Sequence, residues 1–337
     1  MKYTIIVLMI LGFYAAAQDQ STSGFKEYYP ISVRPELSAG LGNNPYEQIL
    51  LEAKPTVYYG IYNDLRSALN KDTITSGDAI YLTFQPEFRI YNEESKPVKT
   101  PSYKLLIGWQ KIIKTDSDNF LTAAIESGHY SNGQSRSAFS TEFEDDSEES
   151  RALYDEFTDD TNLAALLNRQ TGNFSTNLTR FSINYRLNKF DSQNVPEKIH
   201  SMTATYQLYH NKFLGVADFG GYNPEDIEIY GRHRIELGYE YTGYYKDIRY
   251  VISEQALLHL GSHPSSVPYR SETRFMIYPF SNDFGFMTQL SIGRDDYNYR
   301  FLEDFTRFSV GITWDWFTPF VIKPTRQQLP DVPDSQL

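Results

Sequence analysis

Residues 128–135 read GHYSNGQS, a stretch that sets His129 and Ser131 two positions apart at the end of a segment, NFLTAAIES, that reads as a strand. In a strand, positions i and i+2 share a face, with Cα atoms roughly 6.5 Å apart. An imidazole and a hydroxyl so placed can hydrogen-bond. Serine is a weak nucleophile until a base takes its proton, and that base needs a third group to set its tautomer and orientation. The chemistry on offer is nucleophilic hydrolysis. Alone, H-x-S is a weak signal that arises often by chance, and a strand-end histidine is more often a plain polar residue than a base. A second pair, His259 and His263 in LLHLGSHPSS, has no acidic or cysteine partner nearby and reads as loop polarity, not a metal site.

Which way His129 and Ser131 face depends on the elements that carry them. The chain opens on M-K-Y, the apolar run TIIVLMILGFY and Ala15-Ala16-Ala17, which predicts a signal peptide over residues 1–17. The apolar run is too short for a membrane helix. There is no cysteine, so neither disulfides nor lipidation at the cleavage site is available. Aromatics make up 15% of the residues, with 27 Tyr and 22 Phe, yet mean hydropathy is −0.49. A net charge of −12 argues against a nucleic-acid partner.

Exported, aromatic-rich and weakly hydrophobic overall, the chain fits a bacterial outer-membrane β-barrel, whose strands alternate lipid-facing with interior residues. IYLTFQPEFRI sets Ile80, Leu82, Phe84, Phe88 and Ile90 against Tyr81, Thr83, Gln85, Glu87 and Arg89. RIELGYEYTG, SMTATYQLY and RFSVGITWDWF alternate likewise, over about 9 to 11 residues each, the length that a tilted membrane strand needs. A secreted sandwich would also alternate, but with shorter strands. The polar faces mix Arg and Lys with Glu and Asp, which predicts a packed interior network and not a wide channel.

Eleven strands are expected, at 56–65, 80–91, 102–113, 120–132, 176–187, 199–209, 232–245, 246–260, 270–280, 283–294 and 305–317. Closed bacterial barrels have even counts, so either a twelfth strand lies within 31–53 or one of the eleven is false. Short connections at 114–119, 245–247 and 280–283 would face the periplasm, and those at 133–175, 210–231, 261–269 and 295–304 the outside. The domain plan is therefore an N-terminal periplasmic segment over 18–55 with room for that first strand, a transmembrane barrel over 56–320, and a disordered Pro-rich tail over 321–337. The long loop 133–175 carries the acidic runs TEFEDDSEES and LYDEFTDDT and is expected to be solvated and partly disordered.

This frame gives the opening pair a direction. With Leu121, Ala123 and Ile125 facing lipid, Ser127, His129 and Ser131 fall on the same side. In STNLTRFSINYRLN the lipid face reads Asn177, Thr179, Phe181 and Ile183, so Asn177 stands at the outer end of the adjacent strand. Antiparallel neighbours bring these ends together. His129, Ser131 and Asn177 can then converge on the outside of the barrel, where only an enzyme acting on membrane lipid would need them.

His129-Tyr130-Ser131-Asn132-Gly133, followed by Ser175-Thr176-Asn177, resembles the bacterial outer-membrane phospholipase A family. Weaker echoes are Asn44-Pro45-Tyr46 with TVYYGIYNDL near the start, and the run from RFMIYPFSNDFGF through DDYNYRF to TRFSVGITW at the end. The resemblance implies a twelve-stranded barrel that hydrolyses acyl esters of membrane phospholipids (A1/A2 type), with its active site at the outer leaflet. It implies Ser131 as nucleophile, His129 as base, Asn177 as orienter and the Gly133 backbone N–H for the oxyanion. It also implies calcium, through the Gln134 backbone carbonyl and the position of Asn173, and a homodimer on activation. Two departures stand out: the family has Arg where Gln134 stands and Ser where Asn173 stands. Two alternatives remain: a lipid A deacylase-type barrel, which uses Glu as the third member, and a non-catalytic barrel.

Overall fold

In the computed structural model, the described residues are 28–65, 68, 75–116, 118–190, 196–245, 248–279 and 283–315. The segment 1–17 and the tail 321–337 lie outside them. Alternating side chains build long strands: β1 Glu36–Gly42, β2 Ile49–Lys54, β3 Val57–Asn63, β4 Ser76–Tyr91, β5 Ser102–Lys114, β6 Phe120–Ser131 and β7 Ser175–Phe190. Then come β8 Pro196–His210, the short β9 Lys212–Phe213 and β10 Ala217–Asp218, β11 His233–Tyr245, β12 Ile248–Leu260, β13 Tyr269–Tyr278, β14 Phe284–Arg294 and β15 Asp304–Trp314. All but β9 and β10 form one antiparallel sheet, closed where β1 pairs with β15 and β2 with β4.

The sheet contains thirteen strands, but β2 and β3 are two halves of one. Ala53 faces Phe88 and Val57 faces Phe84, four residues on along both chains, so the register runs through the gap. It sets Pro55 opposite Pro86. Neither proline has an N–H to donate, and the ladder lapses there. The barrel thus has twelve strands, the even count that closure requires. The strand missing from the sequence count is β1, so the barrel begins at Glu36, not at 56. Its seven residues, ELSAGLG, are short and carry two glycines, a weak alternation signal.

Outward positions carry a continuous apolar band, with Ile80, Leu82, Leu105, Ile107, Phe181, Ile183, Leu237 and Val310 all exposed. Among the described residues no helix is long and apolar enough to cross a membrane. Inward positions carry buried charges in pairs. Arg89 binds Glu52 at 2.7 Å and Asp295 at 2.6 Å, Arg307 binds Glu52 at 3.0 Å, and Arg180 meets Glu126 at 2.5 Å. A cavity of about 350 Å³ remains inside, lined by such groups.

Both mouths are closed by apolar clusters. At one mouth Tyr28 and Tyr29 pack with Tyr81, Ile112 and Phe120. At the other mouth, the end that carries His129 and Ser131, Tyr130, Leu163, Leu167, Phe174, Tyr222, Tyr230 and Phe301 form one core. The acidic loop joins that core, contrary to the expectation of disorder. Leu163 and Leu167 are buried in it and Phe139, Tyr154 and Phe157 pack against it, while Glu148, Glu149 and Asp155 of the helix Glu148–Asp155 are exposed. Charge density marked this loop as solvated, but its interleaved aromatics anchor it.

Candidate active site

β6 and β7 pair so that His129 lies directly opposite Asn177, and Ser131 opposite Ser175. Alternate positions along β7 share the outward face, so Asn177 lies on it with the exposed Phe181 and Ile183. His129 Nδ1 and Asn177 Oδ1 are 3.1 Å apart. The other end of the Asn177 amide is committed: Nδ2 donates to the carbonyls of Asn211 at 3.0 Å and Phe219 at 2.8 Å. Flipping the amide would set its oxygen against two carbonyl oxygens, so Oδ1 must face the histidine. His129 therefore carries its proton on Nδ1 and keeps the Nε2 lone pair free, the tautomer of a general base. Asn177 is fully buried by the chain that passes over it.

That covering chain is the hairpin β9–β10. Phe219 sets its ring edge-on to His129, centroids 4.9 Å apart. The neck closes through Gly220 and Gly221. A Cβ on Gly220 would lie 2.9 Å from His129 Cε1, and one on Gly221 only 1.9 Å from the Asn211 carbonyl oxygen. Ser175 donates to the Gly220 carbonyl at 2.8 Å.

Ser131 ends β6 half-buried. No hydrogen bond joins it to His129 among the described residues, yet both line one cavity of about 320 Å³ with Gly133, Gln134 and Asn173. Such contacts often tighten only when substrate binds. Beyond Ser131 the backbone is clamped by buried Asn132. Its Nδ2 donates to Gly172 O at 2.8 Å, and its Oδ1 accepts from Phe174 N at 3.0 Å and Gln134 N at 3.2 Å. The clamp consumes the Gln134 amide and leaves Gly133 at φ +67°, where glycine alone is unstrained. The Gly133 N–H donates no hydrogen bond among the described residues, which leaves it available to an oxyanion.

The same cavity admits a hard cation in part. The Gln134 carbonyl accepts no hydrogen bond among the described residues. Asn173 gives its Nδ2 to Asp145 at 2.6 Å, which leaves Oδ1 unspent. Asp145, Asp146 and Asp226 line the wall, three residues that sequence reasoning missed although Asp145 and Asp146 sat in the acidic run. Burial pushes the Asp226 carboxyl up to about 8, and burial with Asp146 beside it raises Asp145. Oxygen donors of this kind suit calcium. Among the described residues, however, no three His, Cys, Asp or Glu side chains converge as a ready cage.

The structure separates His259 from His263. The first is buried against Phe301; the second binds Ser265 Oγ at 2.9 Å and the Thr158 carbonyl at 3.0 Å.

No protein-family pattern matches the chain, and no curated protein matches it. Solved structures do. Outer membrane phospholipase A from Escherichia coli is 12% identical, with a TM-score of 0.50 over 87% of this chain and 95% of that one. The dimer of the Salmonella typhi outer membrane phospholipase, with bound calcium, is also 12% identical, with a TM-score of 0.51 over 89% of this chain and 96% of that one. The chain is thus a closed twelve-stranded antiparallel barrel whose fold is similar to that of outer membrane phospholipase A, the family its H-x-S-N-G motif resembles.

Proposed function

We propose that this barrel is an outer-membrane phospholipase that hydrolyses acyl esters of membrane phospholipids at the outer leaflet, with Ser131, His129 and Asn177 as its triad. The observation that carries the reading is the amide of Asn177, locked on the lipid-facing side so that it can only accept from His129 Nδ1. A water-soluble substrate would give no reason to build that lock on the outside of a barrel.

Ser131 Oγ attacks the ester carbonyl while His129 Nε2 takes its proton. The imidazolium formed is held by Asn177 Oδ1. The tetrahedral oxyanion accepts from the Gly133 N–H, at a glycine already in the conformation that presents it. Collapse transfers the proton from Nε2 to the departing lysophospholipid oxygen. Water, deprotonated by the same nitrogen, then cleaves the acyl-serine to free fatty acid. Calcium, held by the Gln134 carbonyl and Asn173 Oδ1 with the cavity's carboxylates nearby, would supply positive charge beside the oxyanion. Two protein ligands leave coordination positions for water or a second copy of the chain, and a homodimer is part of this reading. Asn177 as the histidine's partner, with no glutamate bonded to that ring among the described residues, favours the phospholipase over a lipid A deacylase.

The test uses purified chain folded in detergent. It should release fatty acid from phosphatidylethanolamine or phosphatidylglycerol, and a chelator should suppress the release. Ser131→Ala should abolish activity while heat-modifiable gel migration persists. Equal release by the variant would sink the site assignment, and release from lipid A alone would sink the substrate class.

A further inference from the structure

The hairpin that clasps Asn177 exposes an apolar tip, with the charged pair Lys212 and Asp218 facing each other across its base. Its turn, Phe213-Leu214-Gly215-Val216, closes through Gly215 N to Lys212 O at 3.0 Å and Val216 N to Phe213 O at 3.1 Å. Leu214 sits at φ +49°, a conformation that leucine adopts at a cost. Leu214 is 45% exposed, Val216 80% and Phe219 60%. A polar tip would serve better in water. The hairpin also lies on the outward face of β7, because its carbonyls grip an outward side chain there. Its apolar residues therefore continue the exposed band that Phe181 and Ile183 begin. Exposed Lys212, at its base, can direct its ammonium to headgroup phosphates while its stem stays apolar.

We propose that the hairpin Asn211–Gly220 is a lipid-inserted finger. Leu214, Val216 and Phe219 seat among phospholipid acyl chains of the outer leaflet, and Phe219 guides one chain to the cavity beside His129. Insertion steadies the same backbone whose carbonyls orient the Asn177 amide, so the finger couples contact with bilayer to the state of the histidine. Asn211 and Phe219 are positioning residues, acting through Asn177. The insertion stands on geometry and exposure alone; its catalytic consequence rests on the phospholipase reading.

Two measurements separate the two. In the first, Val216→Trp is folded into vesicles of phosphatidylcholine and phosphatidylglycerol carrying brominated acyl chains. Bromine should quench the added tryptophan beyond the quenching of the wild type's own. No added quenching would overturn the insertion. Shielding that vanishes when protein is diluted in lipid would overturn it too, in favour of a second copy of the chain on the finger. In the second, Val216→Asp and Leu214→Asp are assayed on vesicles and on a monomeric short-chain phospholipid. The vesicle-to-monomer activity ratio should fall about tenfold or more, the worth of one buried aliphatic side chain. An unchanged ratio would overturn the coupling. Quenching with no hydrolysis of either substrate by wild type would overturn the phospholipase reading and leave the finger standing.

Discussion

At the scale of residues, the decisive group is the Asn177 amide. Its two ends do different work: Nδ2 is anchored on two main-chain carbonyls, and Oδ1 is thereby aimed at His129. Asn177→Ala removes the aim and orphans the carbonyls of Asn211 and Phe219. We expect kcat on phospholipid vesicles to fall on the order of 10³-fold with KM little changed, since an orienter acts mainly on the proton-transferring state. A variant within twofold or so of wild type, at retained heat-modifiability, would remove Asn177 from the triad. The placement of His129 beside Asn177 was legible in the sequence, because both positions follow from period-two alternation counted from neighbouring strand ends. The lock on the amide was not, since its two carbonyls come from residues whose positions depend on how an irregular loop folds.

At the scale of elements, the long loops at the site end of the barrel behave as a cap and not as solvated chain. The helix Pro224–Tyr230 starts on a reciprocal cap, with the Asn223 N–H donating to Asp226 Oδ2 at 3.1 Å. Burial pushes Asp226 up to about 8, whereas in the unfolded chain it titrates at about 3.9. Between these values the folded chain holds a proton that the unfolded chain has released, so stability falls as pH rises across that window. Melting in detergent should accordingly drop from about pH 5 to about pH 8, and Asp226→Asn should flatten the drop. Equal slopes for the two proteins would mean that Asp226 is not protonated in the fold. The acidic loop deceived sequence reasoning for a related reason. Its charges dominate the composition, but a few aromatics, Phe139, Tyr154 and Phe157, settle where the backbone goes.

At the scale of the whole molecule, the barrel is held open in shape and closed in cross-section by charges paired across its interior. Arg89 is the clearest instance: 1% exposed, bonded to Glu52 and Asp295, and stacked 4.1 Å over Tyr297. It ties β4 to β2 and to the turn before β15. Arg89→Met strips Asp295 of its bidentate partner inside the barrel. The expected cost is about 3–5 kcal/mol, read as a lower urea midpoint for loss of heat-modifiable migration. An unchanged midpoint would show that solvent in the interior cavity compensates the orphaned carboxylate.

The sequence by itself determined the class of fold and the facing of its candidate site residues. Strand alternation is a local property, and it survives whatever the rest of the chain does. From it came eleven of the twelve strands, the mixed-charge interior, and the outward phase shared by His129, Ser131 and Asn177. Tertiary structure decided everything that depends on long-range pairing. It set the Pro55–Pro86 break that merges two short strands into one, and found the first strand at Glu36. It ordered the acidic loop and folded an apolar hairpin back over Asn177. Those outcomes rest on contacts between residues far apart in the chain, where no periodicity in the sequence could announce them.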